Sequence, residues 1–110
     1  MKVHGIALGI IQPPDGATLA TPSSIGVTGT GVGLPENNVV VQATDSSGNV
    51  LAEQATIVNA SELGGSGTWS VTLSVSVSAG TTGQIIAFSP DPKTGGMVAS
   101  ATINVTYGQQ

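Results

Sequence analysis

Residues 67–77 read GTWSVTLSVSV, with Trp69, Val71, Leu73, Val75 and Val77 at every second position and Ser70, Thr72, Ser74 and Ser76 between them. Successive side chains of an extended chain leave on opposite faces, so this segment has one oily face and one hydroxyl face. A helix would scatter the same residues around its circumference. The alternation therefore dictates a strand whose oily face must be covered by a second layer. The segment ATINVTY repeats the device, with Ala101, Ile103, Val105 and Tyr107 on one face and Thr102, Asn104 and Thr106 on the other. A weaker version in SIGVTGT points Ile25 and Val27 inward.

Two runs are apolar on both faces. NVVVQAT aligns Val39, Val41 and Ala43, with Val40 on the opposite side. GQIIAFS sets Ile85 and Ala87 against Ile86 and Phe88, and its pattern does not say which pair faces the core. Such runs suit central strands. Sixteen glycines and six prolines punctuate the chain and exclude long helices, since each is costly in a helix interior. The longest span without either is residues 49–63, and the β-branched TIV within it favours a strand over a helix. Turns fall at PPDG (13–16), DSSGN (45–49), ELGGSG (62–67) and SPDPKTGG (89–96).

Strands are expected near 6–11, 24–30, 38–44, 50–58, 67–77, 84–89 and 98–107. About seven short strands within 110 residues predict an all-β fold, an antiparallel β-sandwich of immunoglobulin-like architecture. One domain would occupy 6–107, with tails at 1–5 and 108–110. Trp69, the single tryptophan, is assigned to the core. Between the first two of these strands, Pro13 and Pro14 remove backbone donors, which suits an edge or a crossing rather than a central ladder position.

The order of these features resembles the immunoglobulin-like domain of bacterial spore-germination and related cell-envelope proteins. The landmarks are Pro13-Pro14-Asp15-Gly16, Pro22, Val27-Thr28-Gly29, Asp45 with Gly48, Trp69 at an aromatic position, and Ser89-Pro90 with Lys93 and Gly95. They run from Ile6 to Val105. The resemblance implies a sandwich placed in the cell envelope or outside the cell, and brings no catalytic residues with it. The Ser/Thr/Gly-rich middle, ATIVNASELGGSGT, departs from the family's pattern in length.

Charge narrows the functions further. Charged residues make up 7% of the chain, the net charge is −4, and the bases are Lys2 and Lys93. Nucleic-acid binding requires phosphate neutralisation by Lys or Arg, so no nucleic-acid partner is expected. The longest apolar runs fall short of the roughly 18 residues of a membrane span, so no membrane insertion is expected. The opening MKVHGIALGII reads as a first strand after a tail, its apolar part broken by Gly5 and Gly9. Cysteine is absent, which removes disulfides and thiolate metal sites.

Reactive centres are sparse. His4, the single histidine, falls in the expected tail. The acids Asp15, Glu36, Asp45, Glu53, Glu62 and Asp91 fall mostly in loops, with nothing in their spacing to pair them for acid–base work. TDSSGN resembles a calcium loop with a single carboxylate, and reads as an Asp-Gly turn. GTGVG lacks the lysine and helix of a phosphate loop. Asn59-Ala60-Ser61 and Asn104-Val105-Thr106 match the glycosylation sequon by composition. The most distinctive loop is Pro90, Asp91, Pro92 and Lys93, a stiffened and charged display point and the candidate interaction site.

These readings converge on a non-catalytic structural or protein-interaction module of a bacterial envelope or secreted protein, without cofactor. Its expected partners are neighbouring domains or envelope proteins. The alternatives are a carbohydrate or cell-wall glycan binding module, which would expose Trp69 or Tyr107, and a calcium-dependent adhesion module. The sparsely charged surface leaves strand edges unguarded and predicts a weak edge-strand homodimer.

Overall fold

The oily faces close on one another as two stacked sheets in the computed structural model, which describes residues 6–19, 23–34, 37–62, 65–75, 77, 80–91 and 93–107. The tails 1–5 and 108–110, with His4, Pro22, Glu36 and Pro92, lie outside the described residues. The strands are β1 (Ala7–Gln12), β2 (Ala17–Leu19), β3 (Ser23–Val32), β4 (Asn38–Asp45), β5 (Val50–Ile57), β6 (Gly67–Val75), β7 (Thr82–Pro90) and β8 (Met97–Tyr107). One sheet has the order β1-β3-β6 and the other β2-β8-β7-β4-β5. The chain is an all-β, immunoglobulin-like sandwich. Of 49–63, the span weighed as a helix, the described residues 49–62 contain β5 and an isolated bridge from Asn59 to Thr68, and no helix.

The alternation predicts the inner faces well. Trp69, Leu73 and Val75 of β6 are buried, as are Ile103, Val105 and Tyr107 of β8 and Val39, Val41 and Ala43 of β4. In β7 the core pair is Ile85 and Ala87, leaving Ile86 and Phe88 half-buried on the outer face. The indole of Trp69 lies across Gly29, its cross-strand partner on β3. A Cβ on Gly29 would meet the ring and the carbonyl oxygen of Gly9, so no larger residue fits there without displacement. The indole N–H is satisfied by the carbonyl of Thr30, at 3.1 Å.

The eighth strand lies where proline suggested a crossing. After β1 the chain passes through a cis Gln12–Pro13 bond and leaves the first sheet. Three residues then pair in parallel with β8 on the second, in the register Ala17↔Val105 to Leu19↔Tyr107. Asp15 anchors the transfer: its Oδ1 accepts the backbone N–H of Asn104 at 2.8 Å, and Gly16 N–H donates to the Asn104 carbonyl at 2.6 Å. Every other strand pair is antiparallel.

The registers also place the ends of the body. Ala7 pairs with Val32, Gly31 with Gly67, and Asn59 bridges Thr68, so the start of β1 shares an end with the starts of β4 and β6. The end of β7 and the start of β8 belong there too, since Val40 pairs with Phe88 and Pro90 with Met97. Tyr107, Thr82, Gly83 and Asp45 occupy the opposite end. The first strand begins at one end of an elongated body, 52 × 25 × 18 Å, and the last strand finishes at the other.

Candidate functional site

The turns carrying Asp45 and Asp91 spend those carboxylates on their own backbone. At the turn joining β4 and β5, Asp45 Oδ1 accepts the N–H groups of Ser47 at 3.0 Å and Asn49 at 2.9 Å. Its Oδ2 accepts the side-chain amide of Asn49 at 3.1 Å. These bonds, the Asn49 side chain foremost, hold the Asp45 carboxyl below its ordinary value of 3.8. They also give the calcium-like spacing of TDSSGN its physical reading as a capped turn. Among the described residues, no three His, Cys, Asp or Glu side chains come together as a metal-holding group.

The candidate interaction loop is a hairpin tip between β7 and β8. Pro90 ends β7 half-buried, Asp91 is half-buried, and Lys93 is exposed. Asp91 Oδ1 accepts the N–H of Lys93 at 2.8 Å, and Gly95 N–H donates to the Asp91 carbonyl at 2.8 Å. Asp91 N–H closes the hairpin on the Gly96 carbonyl at 2.7 Å, and Gly95 holds a φ of 78°. This tip sits at the end where β1 begins. Asp15 and Asp45 lie towards the far end, so the structure does not bring the three aspartates together.

The aromatic residues sort differently from a sugar platform. Trp69 is 3% exposed and Tyr107 0%. The Tyr107 hydroxyl donates inward to the carbonyls of Thr44, at 2.9 Å, and Gln84, at 3.3 Å. Burial, reinforced by the negative charge of Asp45, pushes its pKa up to about 12. Phe88 lies half-buried on the outer face of the five-stranded sheet, opposite Val40.

A feature not anticipated from sequence is a row of amides on that outer face. Gln42, Gln84 and Asn104 line an open groove of ≈ 590 Å³ that reaches from Val50 and Ile86 to the Asp45 turn. Gln42 donates to Glu53 at 2.7 Å, and Gln84 donates to Asn104 Oδ1 at 3.2 Å. Asn104, the sequon residue, is thereby engaged with Gln84 and Asp15. The sequence signal was the polar residue at the outward positions of three strands. Their adjacency depends on the order β8-β7-β4, which no local pattern encodes.

The family comparison agrees with this architecture. The chain belongs to the Gmad2 family, the immunoglobulin-like domain of bacterial spore germination, whose sequence model matches residues 8–96. The match stops before β8, short of the Val105 limit expected from the landmarks. No curated protein sequence matches the chain. Among solved structures, a β-glucuronidase from Ruminococcus gnavus superposes with a TM-score of 0.48 at 14% identity, over 91% of this chain and 16% of that enzyme. The chain thus spans a small part of the glucuronidase. A non-cellulosomal cohesin from the archaeon Archaeoglobus fulgidus has a TM-score of 0.40 at 12% identity, covering 94% of this chain and 92% of the cohesin. Among the described residues no helix is long and apolar enough to cross a membrane.

Proposed function

We propose that this chain is a non-catalytic structural module of a bacterial envelope or secreted protein, in a context related to spore germination, that sets the spacing of the domains on either side of it. The observation that carries this reading is where the first strand begins and the last strand finishes. The first strand begins at one end of a body 52 Å long and the last strand finishes at the other, so neighbouring domains are held apart by a packed sandwich. The family assignment supports the germination context. The charged turns support a non-catalytic reading, because Asp45 and Asp91 cap their own turns and Asp15 holds the Asn104 backbone of β8. The hairpin carrying Asp91 and Lys93 stands at the leading end, where it would meet a neighbouring domain or envelope protein. The glycan-binding alternative loses its main support, since neither Trp69 nor Tyr107 offers a ring to solvent.

The test is to replace residues 6–107, in the protein that carries them, with an unrelated sandwich of matching end-to-end length. A positional role predicts that the parent protein keeps its activity. Loss of activity with the flanking domains still folded would overturn it and move attention to the hairpin, where Asp91→Ala and Lys93→Ala would then abolish partner capture.

A further inference from the structure

The strand β6 forms one edge of the three-stranded sheet, because the chain passes from β5 to β6 without adding a strand outside it. Its outward backbone groups can be identified. The Asn59 N–H donates to the Thr68 carbonyl at 2.7 Å, so Thr68 directs its backbone away from β3. In an antiparallel ladder this direction alternates, so Ser70, Thr72 and Ser74 also point their N–H and C=O groups outward. Thr68 has Asn59, while among the described residues no hydrogen bond reaches the outward groups of the other three.

This edge lacks the usual guards. Residues 67–75 contain no charge and no proline, and their pairing with β3 runs without a bulge. The other edges are protected in some way: β1 is shorter and bulged between Ile10 and Gln12, β2 has three residues, and β5 carries Glu53. Val71 faces inward yet is only half-buried, so the core is open to solvent beside the free edge.

The edge is also complementary to itself. Around Thr72 the sequence reads Ser70-Val71-Thr72-Leu73-Ser74, with hydroxyl and aliphatic positions symmetric about the centre. A two-fold interface requires this property, since residue i must suit residue j and j must suit i. We propose that two copies of this chain pair antiparallel through β6, about an axis at Thr72, merging their three-stranded sheets into one. Thr72 then faces Thr72 of the partner subunit, and Ser70 faces Ser74 of the partner subunit, forming a hydroxyl ladder on the outer face. On the inner face the half-buried Val71 comes to lie beside the partner strand. The register uses the three unpaired residues and leaves Thr68 with Asn59.

Sedimentation equilibrium of the 110-residue chain should show monomer and dimer exchanging between roughly 10 µM and 1 mM, as suits a small interface. Thr72→Lys sets two ammonium groups face to face and should weaken the dimer on the order of tenfold or more. Mixing Thr72→Lys with Thr72→Glu should restore association as a heterodimer. Trp69 fluorescence and melting temperature report whether each variant keeps the monomer fold. The chain has no cysteine, so Thr72→Cys should cross-link under mild oxidation while Thr68→Cys does not. A chain that stays monomeric at about 1 mM overturns the proposal. So does a dimer unaffected by Thr72→Lys but broken by Ile11→Lys on β1.

Discussion

Ser89 shows how a single atom can work against its own core. It follows Ile85 and Ala87 at the strand period, so its side chain enters the space between the sheets. It is 0% exposed, and among the described residues its Oγ has no hydrogen-bond partner. A buried hydroxyl without a partner gives up its hydration and gains nothing in return, at a cost of about 1–3 kcal/mol. Ser89→Ala removes that group and leaves a void of about one oxygen atom. The variant should be more stable by about 1 kcal/mol in urea or thermal unfolding. A loss of stability would mean that the hydroxyl is satisfied in solution. This residue was hard to place from sequence, because GQIIAFS is apolar on both faces and its phase follows only from the pairing with β4 and β8.

At the scale of elements, Tyr107 ties the β7–β8 hairpin to β4, which is remote from it in sequence. It ends β8, and its hydroxyl donates to carbonyls at the end of β4 and the start of β7. Gly83 helps, since a side chain there would strike the Thr44 carbonyl. Ionising the phenol would remove the donor and leave a negative oxygen facing two carbonyls, near Asp45. The folded pKa, about 12, exceeds the ordinary value of 10.0, so the folded state retains its proton where the unfolded state releases it. The contribution to stability is complete below pH 10 and is lost as pH rises from 10 towards 12. The chain has one tyrosine, so phenolate absorbance near 295 nm should titrate close to pH 12 when folded. Stability measured from pH 9 upward should fall over this window, and Tyr107→Phe should abolish that fall. A phenolate midpoint near 10 in the folded protein would contradict the buried hydroxyl. The alternation in ATINVTY places Tyr107 on the oily face, but not its acceptors. Likewise β2 escapes the period-two reading, because three residues carry no measurable period and their parallel partner lies some 90 residues away.

For the whole molecule, the decisive strand lies outside the family match. β8 pairs with β7 along its length and with β2, and it supplies Ile103, Val105 and Tyr107 to the core. A chain cut after residue 96 would keep the matched segment and lose this strand. It should fail to fold, giving narrow amide proton dispersion and solvent-like Trp69 emission; native-like spectra would show that the matched segment is autonomous. The amino-acid sequence by itself determined seven of the eight strands, most of their inward faces, the corners and the burial of Trp69, because side-chain alternation and turn chemistry act between neighbours along the chain. Tertiary structure alone decided the transfer of β2 to the second sheet, the phase of β7, the amide row and the unguarded edge of β6. These depend on which strands lie side by side, and that is settled by burying all the oily faces at once, not by any one segment.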